Sequence, residues 1–326
     1  MPDILEMIKS KDRLSFSQNY SVKRPYRGAT LFPDIKTPNL EAEYCRLSNG
    51  SALPTVAQVH AFDTEAVIGT RPTLEKVTVE KFLIKEKINQ SEKTKQYTKN
   101  GVDESGLIGF IYDDMGRLAD SVVARAELMK QNVMSDGKIT IKENGLNFVI
   151  DLGVPASNRV TADWSDPKHN ILGDISAWKK VAKDQGQTIT RVQTSEKILS
   201  YMQNNEGIQT AINGTLGVGA FVSVVQVNTL MQQMFSISIE TNEDIYADLE
   251  KQSNGTLKRK VGTGLWGITP EEEAYGPWTE KSQKQFVTIT QWETPDPVAT
   301  WTKASGLFVP VLPNPEGIVI ATITLG

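Results

Sequence analysis

The chain of 326 residues carries 35 lysines and arginines against 39 aspartates and glutamates, a formal net charge of −4, with 39% hydrophobic and 23% charged residues. That balance belongs to a folded globular protein and excludes both a disordered chain and a global basic field that would gather phosphates by counterion release. No apolar run is long enough to span a membrane, and the opening Met1-Pro-Asp-Ile-Leu-Glu-Met-Ile lacks the basic region and cleavage site of a signal peptide, so the protein is expected to stay in the compartment where it is made, with no membrane partner.

The first sixty residues read as an arm: beyond a short helix at Asp3 to Ile8, Pro25, Pro33, Pro38 and Pro54 interrupt every apolar run. The single Cys45 within it fits a reducing cytoplasm and is expected to be buried and inert. From Val67 to Asn89 the chain is rich in Val, Thr, Ile, Phe and Lys and reads as an extended ribbon turning near Gly69 to Pro72. A two-stranded ribbon alone is marginal in water, so it is expected to lean on a neighbouring molecule.

After the charged stretch Gln90 to Lys99, apolar residues recur at Leu107, Ile108, Ile111, Met115, Leu118, Val122, Ala126, Met129 and Val133, the spacing of one helix face. About 28 residues at ~1.5 Å each predict a helix of roughly 40 Å. A hairpin follows: Lys138 to Glu143 and Leu146 to Asp151 flank Asn144-Gly145, whose positive φ angles suit a primed two-residue turn.

From Asp163 to Glu280 helix and strand alternate in an α+β pattern. The reading gives a helix Ile175 to Gln185 capped by Asp174 and closed by Gly186, a strand Thr188 to Val192, and a helix Ser195 to Asn204 with Ile198, Leu199 and Met202 inward. It continues with a helix Asn228 to Met234, a strand Phe235 to Glu240 and a hairpin Ile245 to Val261 turning at Asn254-Gly255. Three apolar strands close the chain, Gln285 to Glu293, Gly306 to Leu312 and Gly317 to Thr324, the first expected to join the sheet of the Asn144-Gly145 hairpin.

A convergent acid, base or nucleophile is hard to find, so no catalytic, cofactor or metal residue is assigned and the chain is not read as an enzyme. His60 lies in the arm. Asp163, Asp166, His169 and Asp174 could surround a cation, or could be a loop and helix start whose side chains satisfy free amides; without any zinc spacing the second reading is preferred. Gly214 to Gly219 lacks the strand before and the Lys-Ser/Thr after that a phosphate loop needs, and reads as a flexible apolar loop. Trp266, Trp278, Trp292 and Trp301 fit core or interface packing better than a sugar platform. Lysines of the ribbon (Lys76, Lys81, Lys85, Lys87, Lys93, Lys95, Lys99) alternate with Glu75, Glu80, Glu86 and Glu92, which suits a protein–protein contact more than a phosphate groove. Arg71, Lys76, Glu80, Lys81, Lys85 and Glu86 are the candidate assembly contacts.

An arm without a core, an extended ribbon, a long helix, a discontinuous sheet, an α+β block and an apolar end, in that order, resemble the tailed-phage major capsid proteins of the lambda-type capsid protein E family, which have the Hong Kong ninety-seven capsid fold. The nearest local matches are Leu118 to Gly153, ending Val149-Ile-Asp-Leu-Gly153, and Val309-Pro-Val-Leu-Pro-Asn-Pro-Glu-Gly-Ile-Val-Ile. The resemblance implies an N-terminal arm (1–56), an extended loop (57–100), a peripheral domain with spine helix and hairpin (101–162, completed by return strands at 281–326) and an α+β axial domain (163–280). It implies self-assembly through pentamers and hexamers into the icosahedral virion shell of a tailed bacteriophage, built in the host cytoplasm and enclosing double-stranded DNA without sequence-specific binding. Portal, decoration and separate scaffolding proteins would be its partners, and it would need no cofactor. An encapsulin-like compartment shell is the alternative; a carbohydrate-binding protein or hydrolase using the tryptophans is a remote one.

Within the spine helix Ile111, Met115, Leu118 and Val122 are expected in the buried stripe, so aspartate at Met115 or Leu118 should prevent folding. Asp113, Asp114, Asp120 and Glu127 lie off that stripe, exposed to solvent or facing DNA as a non-adhesive wall. Ordering each residue costs ~1–2 kcal/mol of backbone entropy, and arm and ribbon cannot offset it with their own contacts. Neighbouring copies are expected to supply the missing surface, so that deleting Gly69 to Asn89 leaves a folded subunit unable to close particles.

Overall fold

The computed structural model describes residues 12, 16, 26, 28–37, 40–47, 59, 74–91, 104–143, 145–241, 255–257, 263–267, 287–295 and 298–325. The helix expected at Asp3 to Ile8, the turn at Gly69 to Pro72, His60, Trp278 and the first half of the hairpin expected from Ile245 lie outside these residues.

A helical turn, α1 (Gly28–Leu31), precedes strands β1 (Asp34–Lys36), β2 (Glu41–Leu47), β3 (Leu74–Glu80) and β4 (Phe82–Ser91). The spine, α2 (Glu104–Asp136), is 33 residues long, about 50 Å of helix. Ile111, Met115, Leu118, Val122, Ala126, Met129 and Val133 are each exposed by 2% or less. Gly137 ends the helix at φ +62°, donating its N–H to the Val133 carbonyl, and a side chain there would run into Val154. The hairpin β5 (Lys138–Glu143) and β6 (Leu146–Asp151) pairs Lys138 with Asp151 and Glu143 with Leu146, and Gly145 takes φ +79° as the primed turn requires.

Strands β7 (Arg159–Asp163), β8 (Arg191–Thr194) and β9 (Ser238–Thr241) alternate with helices α3 (Ile171–Asp184), α4 (Glu196–Gln203), α5 (Glu206–Asn213) and α6 (Val224–Phe235). The remaining strands are β10 (Gly255–Leu257), β11 (Thr263–Gly267), β12 (Thr288–Pro295), β13 (Val298–Val311) and β14 (Val319–Thr324).

These strands form two larger sheets over two hydrophobic cores. In the first, β1, β11, β13 and β12 lie in that order, and β4 pairs with β13 along its length, from Phe82 opposite Phe308 to Ser91 opposite Ala299. This sheet packs on the spine, with Leu31, Phe32, Ile139, Leu152, Phe308 and Val309 filling the space between. In the second sheet, of order β7-β14-β10-β8-β9, Trp164, Ile171, Ile189, Leu199, Ile208, Met231 and Val319 belong to one core with the helices α3 to α6. Amide side chains tie the lobes together. Buried Asn158 donates to the carbonyls of Glu316 and Ile318 (3.0 and 2.8 Å) and accepts from Gln185 Nε2, while Gln193 of β8 donates to Gln131 of the spine.

The architecture is α+β as expected, but several local expectations are corrected. No isolated ribbon exists at 74–91: β3 pairs antiparallel with β2, and β4 is a strand of the first sheet. Arm residues Leu31 and Phe32 are likewise buried in the chain's own core, at 2% and 0% exposure, so this part of the arm finds its surface within the subunit. The strand at Gln285 to Glu293 does not join the hairpin sheet; β12 pairs with β13, whereas β5 and β6 pair only with each other among the described strands. Gly255 is no turn residue but begins β10, which is hydrogen-bonded to both β8 and β14. The last strand, grouped by sequence with the peripheral return strands, lies instead in the second sheet beside β7. Helix α3 begins a turn earlier than expected, with Asn170 as cap, because the Asp174 carboxylate is occupied by Trp164 Nε1 and His169 Nε2. Cys45 is exposed, since alternation on β2 turns Tyr44 toward the core and Cys45 away from it.

Candidate assembly interface

Of the proposed contact residues, Arg71 lies outside the described chain. Lys76, Glu80, Lys85 and Glu86 are exposed on β3 and β4; the pleat alternates Lys76 and Glu80 with inward Val77 and Val79, and Lys85 with Ile84, whereas Glu86 shares the face of Ile84 and Ile88 yet is exposed between them. Lys76 pairs with Glu43 at 2.7 Å on the exposed face of the β2–β3 sheet, while Arg46 pairs with Glu75 on the other face, that of Tyr44 and Val77, and also donates to the Leu152 carbonyl. Such exposed pairs contribute little to stability. Lys81 is the exception and a correction: it is 3% exposed, donates from Nζ to the Thr37 carbonyl at 2.8 Å, and burial pushes its ammonium below the ordinary lysine range. It sits at the junction where β3 passes into β4 and is spent on the chain's own backbone.

Ile111, Met115, Leu118 and Val122 are all buried along the spine, Leu118 and Val122 in the first core and Ile111 and Met115 in a separate small cluster with Phe16, Tyr112 and Ile289. Beside them a groove of about 820 Å³ opens between β4, the spine and the β5–β6 hairpin, floored by Val122, Met129, Phe82 and Ile84 and rimmed by Glu80, Lys85, Glu86 and Arg125. Leu40, Leu83 and Leu146 stand half-exposed around it. Neither reading of the acidic spine positions holds for two of them. Glu127 and Asp114 are buried; Glu127 accepts the Gly28 N–H and a Gln131 amide hydrogen, so it closes the arm onto the helix instead of facing outward. Asp113 is exposed and pairs with Arg117 one turn on.

The loop before α3 brings His169 Nε2 within 2.7 Å of Asp174 Oδ2, but Asp163 and Asp166 turn to the backbone N–H groups of Ser165 and Lys168. The hydrogen bonds from Ser165 hold the Asp163 carboxyl below the usual carboxylate range. Among the described residues no three His, Cys, Asp or Glu side chains converge as metal ligands would. Trp292 and Trp301 face each other across β12 and β13 with near-parallel rings 6.4 Å apart, a pairing hidden from sequence because it is cross-strand. Lys303 lies over Trp292 and Lys87 over Trp301, so ammonium groups occupy ring faces on which a sugar would stack. Within the Gly214 to Gly219 segment, Thr215 to Gly217 form a single 3-10 turn. No described helix is long and apolar enough to cross a membrane.

Solved structures similar in fold along the whole chain include a prophage protein of E. coli CFT073 (TM-score 0.58, 14% identity, 95% of each chain), the capsid of Myoviridae phage XM1 (TM-score 0.52, 8% identity, 95% of each chain) and the mature capsid of bacteriophage PhiM1 (TM-score 0.54, 9% identity, 94% of this chain and 89% of that one). Comparison with curated proteins gives no match. The family described as phage major capsid protein E matches residues 48–323, a span that takes in the spine and most of both sheets and cores but not α1, β1 and β2. The chain belongs to the phage major capsid protein E family.

Proposed function

We propose that this protein builds the icosahedral head of a tailed phage through pentamers and hexamers of a single chain, and that the shell encloses double-stranded DNA without reading its sequence. The observation that carries the reading is the family match over 48–323. The geometry fits it: a 33-residue spine packs on one sheet, the separate β2–β3 pair carries exposed charged side chains, and an open groove with a charged rim runs between β4, the spine and the hairpin. In this reading segments 1–56 and 57–100 meet neighbouring copies through their exposed β2–β3 strands, while α1, β1 and β4 stay in the subunit's own sheet and core; 101–162 with the return strands forms the peripheral part, and 163–280 with β14 forms the axial part. Lys76, Glu80, Lys85, Glu86 and Arg71 are its contacts between copies, and a scaffolding protein, a portal and a decoration protein complete the virion assembled in the host cytoplasm. Electron microscopy of the purified protein over a range of concentrations tests this. Rings and closed shells are the expected outcome; a protein that stays monomeric at every concentration, with or without a scaffold, overturns it.

A further inference from the structure

The helices of the second core do not fill it. A cavity of about 40 Å³ lies between α3, α4, α6 and one face of the second sheet, and its wall is almost wholly apolar, with the indoles of Trp164 and Trp178 and the thioethers of Met202 and Met231 among the lining groups. The sequence shows why the space is there. Val319, Ala321 and Ile323 alternate onto this face of β14 while Ile320 turns to the first core, and the small residue of the three lines the cavity. A larger apolar residue at 321 would close the hole, and strands take such residues readily. Interiors leave few such spaces, because every atom that lines one forfeits contacts. One wall is fixed: the two indoles lie 5.8 Å apart with their rings 12° from parallel, and Trp164 Nε1 donates to Asp174. The opposite wall can give, because Met202 and Met231 are unbranched and repack easily. Half-buried Trp178 and Lys179 line the cavity from α3, and Lys179 Nζ reaches across to the Phe235 carbonyl at the end of α6.

We infer that this cavity is a binding site for a small uncharged aromatic molecule of about one ring. Apolar cavities stay dry, so a guest displaces no bound water, and an engineered one of about 150 Å³ takes benzene. The cavity is smaller than that at rest, and movement of the two methionines supplies the remaining room. Thioether sulfurs favour ring edges and indoles offer ring faces, so an aromatic guest gains more here than an aliphatic one. A cationic guest would lose its hydration against an apolar wall and meet Lys179 as well. Once bound, the molecule joins the C-terminal strand to three helices, and because the unfolded chain has no such site, occupancy stabilises the folded subunit by mass action. The site belongs to the folded subunit and stands apart from the shell reading.

Full-length protein with isotope-labelled methionine methyl groups, titrated with benzene and followed by nuclear magnetic resonance, tests the site. Of the eight methionines, Met202 and Met231 should shift saturably while the others stay in place. The dissociation constant should be on the order of 1 mM, and the unfolding midpoint should rise with benzene concentration. Ala321→Leu places its added carbons in the existing hole and should weaken binding by about tenfold or more. Ala321→Val, which adds less bulk to the same strand face, carries the same test with less risk to the fold and should also bind more weakly than wild type. Benzylammonium, the charged relative of the probe, should leave both methionine signals unmoved. No saturable shift in the wild type, shifts spread evenly over the methionines, or benzene affinity unchanged in the Ala321 variants would each overturn the inference.

Discussion

Glu127 of the spine accepts the backbone N–H of Gly28, a residue 99 positions earlier, with a carboxylate that is only 3% exposed. Lys130 lies 4.0 Å from the same carboxylate and 2.9 Å from Asp34, so arm and helix share one buried polar knot. A methyl group on Gly28 would overlap the Glu127 carboxylate. Gly28→Ala should therefore cost about 1–3 kcal/mol through forced shifts. Glu127→Ala should cost about 2–3 kcal/mol, by leaving a buried N–H unpaired and thinning the partners of a buried ammonium, and Glu127→Gln less. Denaturant unfolding of the unassembled subunit measures all three. Wild-type stability in Glu127→Ala would show that the knot does not hold the arm.

Removing Gly69 to Asn89 now has a different expected outcome. The deletion takes away β3 and most of β4, exposing one edge of β13 and the core beneath Phe82, Ile84 and Ile88. An insoluble or molten product is expected, judged by solubility and near-ultraviolet circular dichroism. A compact, soluble variant would mean that the β4–β13 ladder is dispensable to the fold.

Lys81 and Lys85, four residues apart, should separate folding from assembly. Lys81→Ala loses the bond to the Thr37 carbonyl and the packing of a buried stem, and should destabilise by about 1–2 kcal/mol. Lys85→Ala, exposed on β4, should stay within about 0.5 kcal/mol of wild type in the unassembled subunit and alter only particle yield. Sedimentation and denaturant titration together read the two effects.

Acid should weaken the hairpin that follows the spine. Burial alone would raise the Asp151 carboxyl, but the Gly153 N–H, Lys138 and Arg159 outweigh it and hold it below the usual range. A depressed folded pKa contributes stability that is present above the unfolded value near ~3.9 and lost as pH falls through the lower folded value. The stability difference between wild type and Asp151→Asn should be constant above about pH 5 and shrink below about pH 4. Thermal melts across that interval check it; a difference that grows on acidification would reverse the assignment.

The spine, the Asn-Gly hairpin and helix α4 were legible because each is written in local spacing: a 3.6-residue stripe, two alternating runs around a Gly at φ +79°, and Ser195 before an apolar face. Helix α5 was missed, although Asn205 caps it, because at eight residues it shows only Ile208 and Ile212 as a stripe. The pairing of β4 with β13 and the place of β14 beside β7 depend on partners far away in sequence, which no local pattern encodes. Asp114 and Glu127 misled for a related reason: polar letters on a helix read as surface, and only tertiary structure supplies the surroundings, such as the Gly28 N–H at Glu127, that let them be buried. At the candidate interface the exposed alternation of Lys76 and Glu80 with apolar neighbours was readable, whereas nothing local marked Lys81 as the one lysine of the group that is buried.

Because Phe82 must find Phe308 more than two hundred residues later, neither large sheet can close until almost all of the polypeptide has been synthesised. Topologies dominated by such distant pairings mature slowly, over milliseconds to seconds or longer, while unpaired strands wait in the open. At the copy numbers a shell demands, nascent subunits would therefore spend their most aggregation-prone interval crowded among one another. This chain should be a heavy client of the host's folding chaperones, and its yield should fall sooner than that of locally wired proteins when they are depleted.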